Sequence, residues 1–138
     1  MSVVKSVFVG VAGALAVTVA IAAESSSLPV TKLKFFETGI GPLKAAAAFG
    51  DLQKGAHGTY IKMPAGFVTP PHLHSEDYYG VVISGVGANG LPGAPDVELP
   101  VGSYWFQKGK EVHVTKCVSA NECIFFLSQP GKFDFVSK

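Results

Sequence analysis

The chain has 138 residues, with 11 Lys+Arg against 10 Asp+Glu and a formal net charge of +1. Every basic residue is a lysine, so no guanidinium fork exists for bidentate capture of a carboxylate or phosphate, and no basic run suggests a nucleic-acid partner. The length suits one compact domain with one core and excludes a multidomain reading.

Lys5 followed by the apolar run Val7 to Ala23, which ends in small residues, has the layout of a secretory signal peptide. The run is interrupted by Gly10 and Gly13, is followed by polar Glu24 to Ser27, and falls short of the roughly 20 residues of a comfortable membrane span. Cleavage after Ala22 or Ala23 is expected, with residues 1–23 as leader and 24–138 as the domain. An uncleaved N-terminal anchor is the alternative. The product would be periplasmic or secreted, with no stable membrane span after cleavage.

Beyond the leader, short runs rich in β-branched and aromatic residues alternate with Gly and Pro, a pattern of many short strands. Strands are expected at Lys32–Glu37, Gly58–Met63, Tyr79–Ser84, Ser103–Gln107, Val112–Cys117, Cys123–Ser128 and Phe133–Val136. Turns fall at Pro64–Gly66, Pro70–Pro71, Gly85–Gly93 and Pro130–Gly131. Four consecutive alanines within Leu43–Phe49 favour a short helix or a packed loop, confined by Gly41, Pro42 and Gly50. An all-β sandwich, jelly roll or small barrel follows. Cys117 and Cys123 are the only cysteines. In an exported chain an even pair reads as a disulfide, here pinning a hairpin through Val118–Glu122 and stabilising by about 2 kcal/mol.

Four histidines are present. His72 and His74 are two apart, so in an extended segment both imidazoles point to one face. His113 lies on a distant strand that a barrel can bring opposite them. Three nitrogen ligands with open positions suit a catalytic rather than a closed structural metal site. His57, between Ala56 and Gly58, reads as a surface turn residue, with lining of the site as the alternative. Glu76 and Asp77 read as turn carboxylates, Glu76 being retained as an additional ligand candidate. Gln107 either lines the cavity, where it could coordinate or hydrogen-bond a ligand, or points outward.

From Gly66 to Gly85 the chain reads Gly, five residues, His-Leu-His, three residues, Tyr78, six residues, Gly. This resembles the first cupin motif, with Tyr78 in the slot that normally holds glutamate. From Gly102 to His113 the spacing is similar to the second cupin motif, with Lys108, Lys110 and Cys117 in its proline, second-glycine and final asparagine slots. The phrases FGDLQKGAHGTYIKMPAGF, HLHSEDYYGVVISG and GSYWFQKGKEVHVTKC resemble a subgroup of uncharacterised exported single-domain cupins.

The resemblance implies a cupin-type jelly-roll β-barrel and one divalent transition metal ion (Fe, Mn, Ni, Cu or Zn) on His72, His74 and His113. Tyr78 is expected to serve hydrogen bonding or acid–base chemistry rather than coordination. The implied function is a mononuclear-metal enzyme of oxygenase, isomerase or lyase type acting on a small oxygen-bearing molecule. The alternative is a non-catalytic cupin that binds or senses a small ligand or metal. The oligomeric state is left open, a homodimer included.

Overall fold

The computed structural model describes residues 24–138; the expected leader lies outside the described residues. A single 3-10 turn at Val30–Lys32 precedes the strands β1 (Phe36–Glu37), β2 (Lys44–Gly50), β3 (His57–Met63), β4 (His72–Leu73), β5 (Tyr78–Ser84), β6 (Gly87–Gly90), β7 (Tyr104–Gln107), β8 (Val114–Cys117), β9 (Cys123–Gln129) and β10 (Val136–Ser137). One antiparallel sheet has the order β1-β2-β3-β9-β5-β7. The two-stranded ladders β10-β4 and β6-β8 are joined by a bridge between His72 and His113 and make the second layer. The all-β jelly-roll expectation is met.

The core is formed by Leu43, Met63, Tyr78, Val82, Trp105, Cys117, Cys123 and Phe125. Inward residues alternate along β5, where Tyr78, Gly80 and Val82 are buried while Tyr79 and Ile83 are exposed, the period-2 signature of a half-buried strand.

Several expectations are corrected. Leu43–Phe49 is no helix: residues 44–50 form β2, paired with β3 from Lys44↔Lys62 to Gly50↔His57. Pairing and complete burial of Ala45 and Ala46 override the helical preference of alanine. Gly85–Gly93 contains β6, where glycine is needed because a Cβ on Gly87 would stand 2.7 Å from the Phe125 ring. Lys32–Glu37 reduces to the 3-10 turn and the two-residue β1, and the last strand begins at Val136 rather than Phe133.

The Cys117–Cys123 disulfide is present, with a Cα–Cα distance of 5.7 Å. Its setting differs from the expected hairpin, because β8 and β9 belong to different sheets and the bridge therefore staples the two layers. Lys110, in the slot where the motif carries glycine, has φ +65° and donates its N–H to the His74 carbonyl at 2.7 Å. A left-handed backbone thus stands at this slot without the residue that adopts it most readily.

Gly80 decides where Trp105 lies. A Cβ there would sit 2.2 Å from the indole, so the ring packs flat over bare backbone. Gly80→Ala is expected to destabilise by about 1–3 kcal/mol through overpacking, read as a lower denaturant midpoint with an unchanged m-value, together with altered Trp105 fluorescence.

Candidate metal centre

Pro70 and Pro71 hold the chain extended as it enters β4, so His72 and His74 turn to the same interior face. His113 arrives from the adjoining ladder through a reciprocal backbone pair: His72 N–H donates to the His113 carbonyl at 3.0 Å and His113 N–H to that of His72 at 2.8 Å. One ring nitrogen from each of the three lies within 4.8 Å of the others, and all three residues are buried. Ring centroids are 4.2 Å apart for His72–His113, 4.9 Å for His72–His74 and 5.2 Å for His74–His113.

The tautomers follow from the partners. His72 Nδ1 donates to the Pro70 carbonyl at 2.9 Å, His113 Nδ1 to the Glu111 carbonyl at 3.1 Å, and His74 Nδ1 to the Asp134 carbonyl. A carbonyl only accepts, so each Nδ1 carries the proton and each Nε2 keeps its lone pair. Burial pushes all three imidazoles down from 6.5 to about 4, the neighbouring rings adding a smaller repulsion. At neutral pH the cluster therefore presents three uncharged donors, oriented through the opposite ring nitrogen as metal-binding histidines are.

Tyr78 leads inward from β5 beside them, only 4 % exposed. Its hydroxyl lies 3.4 Å from His113 Nε2 and 3.4 Å from Asn89 Oδ1, and accepts from Trp105 Nε1 at 3.3 Å. Burial pushes the phenol up to about 12, so it keeps its proton. Asn89 is held in turn by Thr115, which donates to its Oδ1 at 2.7 Å, and by Gln107, which accepts from its Nδ2 at 2.9 Å.

The C-terminal segment covers the histidines. Phe135 stacks on His72 with centroids 4.1 Å apart and planes 16° from parallel, and Phe133 lies 5.1 Å from His74. Burial opposes ionisation of Asp134, but hydrogen bonds from the Ser75 hydroxyl and backbone N–H outweigh it and hold the carboxyl below its ordinary range. The cavity against the histidines is only about 40 Å³ and is walled mainly by Leu43, Met63, Phe125, Leu127, Phe133 and Phe135.

The structure thus brings His72, His74, His113 and the Tyr78 hydroxyl together. Glu76 and Asp77 stay exposed, and Asp77 Oδ1 accepts from Gly109 N–H at 2.7 Å. Gln107 is buried and inward, but it touches Asn89 rather than the histidines. His57 is no surface residue: it lies 2 % exposed on β3, bonded to Thr59 at 2.8 Å and Gln129 at 3.1 Å. A flanking glycine suggested a turn, whereas Gly58 is there because the Phe49 and Phe126 rings lie across it, within 2.2 and 2.8 Å of any Cβ. Asn89, Trp105, Phe133 and Phe135 were not legible as site residues. Asn89 sits among glycines that read as a turn, and nothing local separates the aromatics from ordinary core.

The sequence matches no curated protein. Among solved structures it is similar to the polyketide cyclase RemF from Streptomyces resistomycificus, at 19% identity over 83% of this chain and 85% of that one, with a TM-score of 0.67. It is also similar to an RmlC-like cupin from Ralstonia eutropha JMP134, at 17% identity, 83% and 74% coverage and a TM-score of 0.66. A third likeness is the DMSP lyase DddQ from Ruegeria pomeroyi DSS-3, at 16% identity, 81% and 59% coverage and a TM-score of 0.60. At these identities the likeness establishes the cupin fold and nothing about the reaction. A family model described as a domain of unknown function (DUF4437) matches residues 31–137, and the chain belongs to that cupin-like family.

Proposed function

We propose that this chain is an exported mononuclear-metal cupin enzyme acting on a small oxygen-bearing organic molecule, with oxygenase, isomerase and lyase chemistry as the candidate classes. The observation that carries the reading is the buried set of three neutral imidazoles, each fixed by a backbone carbonyl on Nδ1. Such a donor set fits Fe, Mn, Ni, Cu or Zn, and His72, His74 and His113 would hold the ion. The ion would supply Lewis acidity toward a substrate oxygen, undiminished by any carboxylate among its ligands. Tyr78, protonated and held by Trp105 and Asn89, would orient that oxygen or exchange a proton with it. Phe133 and Phe135, packed on the His74 and His72 rings, would limit water access from that side. Export is supported by the disulfide between Cys117 and Cys123 and by the expected leader; among the described residues no helix is long and apolar enough to cross a membrane. The second reading is a non-catalytic cupin that binds or senses a small ligand or metal through the same three histidines. Metal-dependent dioxygen consumption with candidate enediols or phenols would establish the oxygenase form of the first reading.

The outward face of the large sheet favours a homodimer. Strand register aligns Tyr60, Phe126, Val81 and Tyr104 in one row, ending at the fully buried Ala46, and Phe49, Ser128, Tyr79 and Phe106 in the next, with Gly58 buried beneath the Phe49 and Phe126 rings. Neither row carries a charge. The face is built mainly by the four seven-residue strands β2, β3, β9 and β5, with β7 adding four residues and β1 two. A second copy of the same chain, stacked isologously, would cover it. Tyr104→Lys is expected to convert a dimer to a monomer in sedimentation; a parent that is monomeric at tens of micromolar would refute this assembly.

Alanine at His72, His74 or His113 should each lower metal content by an order of magnitude or more, read by elemental analysis. His57→Ala should cost about 1–3 kcal/mol by unpairing Thr59 and Gln129 yet leave metal stoichiometry intact. Tyr78→Phe should keep the metal and impair ligand binding or turnover, and Cu(II)-loaded parent should lack a phenolate charge-transfer band.

The pH dependence has a definite sign. The triad titrates near 6.5 in the unfolded chain and near 4 in the metal-free fold, so the unfolded state binds more protons between these values. Metal-free protein should be fully stable with respect to these groups above about pH 6.5 and lose stability as pH falls toward 4. Thermal unfolding across that window measures it; a flat profile would exclude a buried neutral triad.

A further inference from the structure

Behind the histidines lies a second, larger cavity of about 310 Å³, bordered by Phe36, Ile40, Ala45, Leu52, His57 and Thr59. Leu43, Ile61, Leu127 and Phe133 line both cavities, so the larger one adjoins the small cavity at the histidines. The small cavity cannot hold an organic substrate: about 40 Å³ compares with the roughly 150 Å³ that accommodates benzene. The larger has room for a two-ring skeleton.

The chamber's polarity can be read from a chain of hydrogen bonds. The Glu76 carbonyl accepts from Gln129 Nε2 at 3.5 Å, which turns Gln129 Oε1 toward His57 Nε2 at 3.1 Å. His57 therefore donates from Nε2 and accepts at Nδ1, where Thr59 Oγ1 lies at 2.8 Å. Thr59 has spent its only proton on His57, and its hydroxyl offers lone pairs alone to the chamber. Among the described residues no lysine borders the cavity, and the one carboxylate, Glu37, is tied to Lys44 at 2.9 Å. An anion would find no counter-charge here, whereas a neutral molecule with a hydroxyl or N–H finds an acceptor.

We infer that this chamber binds an uncharged, largely apolar molecule of one or two rings that donates one hydrogen bond to Thr59 Oγ1. That this molecule is the body of the substrate rests on the metal-enzyme reading above; the binding itself does not.

The experiment is a fluorescence titration of the full folded protein, zinc-loaded and zinc-free, with 2-naphthol, 2-methoxynaphthalene and 2-naphthoate as probes. Expected is one-to-one binding of 2-naphthol, with the methoxy probe, which cannot donate, and the anionic probe each weaker by about tenfold or more, the scale of one hydrogen bond. Thr59→Val should erase the preference for 2-naphthol over its methyl ether. Leu52→Trp, at a partly exposed position on the rim, should abolish binding of all three without touching the core, and so stands if the valine variant fails to fold. Equal affinity of the parent for 2-naphthol and its methyl ether, no binding of 2-naphthol, or undiminished binding by Leu52→Trp would overturn the inference. Elemental analysis of the same samples keeps the two readings apart: naphthol binding by a parent that holds no zinc would sink the metal centre and leave the chamber standing.

Discussion

The reciprocal backbone pair between His72 and His113 is the constraint on which the site depends. It joins two ladders into one layer and places two imidazoles from distant parts of the chain side by side, with two hydrogen bonds of 3.0 and 2.8 Å fixing their backbones. Directly opposed residues in an antiparallel pair stand within about 5.5 Å of each other at Cα. The geometry of the triad is thereby a property of strand register, and a slip of one residue would turn His113 away from the cavity. His74 is tied to the same arrangement through its carbonyl, which accepts from Lys110 N–H.

Buried imidazoles are costly unless their polar atoms are paired. Here three backbone carbonyls, from Pro70, Glu111 and Asp134, accept from the three Nδ1 atoms. Because these acceptors belong to the backbone, no side-chain rotamer change can release the rings. The Asp134 carbonyl is positioned by the Ser75 clamp on its own carboxylate, so the C-terminal segment orients His74 while Phe133 and Phe135 pack against the imidazoles. Apolar cover and fixed tautomers act together: the first pushes the rings toward their neutral form, the second directs their lone pairs into the cavity.

Cupin barrels host unrelated reactions, and the likeness to a cyclase and a lyase reflects a shared scaffold. What distinguishes this chain lies in its departures from the motif. A phenol occupies the glutamate slot, so the triad lacks an anionic partner and the hydroxyl stays protonated. A disulfide occupies the asparagine slot and ties the two layers together. Lysine at position 110 holds the left-handed conformation expected of glycine.

The sequence by itself determined the fold class and the three histidines. Alternation of β-branched residues with Gly and Pro specifies strands locally, and the His-Leu-His spacing sets two rings on one face wherever the segment is extended. The cysteine pair was legible for a similar reason, closeness in sequence. Only the tertiary structure decided that the Leu43–Phe49 alanines pair as a strand, that His57 is buried against Thr59 and Gln129, and that Asn89, Trp105, Phe133 and Phe135 complete the site. These outcomes depend on contacts between residues far apart in the chain: the partner strand overrides alanine's helical preference, and the ring lying over a glycine, not the glycine itself, determines whether the backbone there turns or continues as a strand.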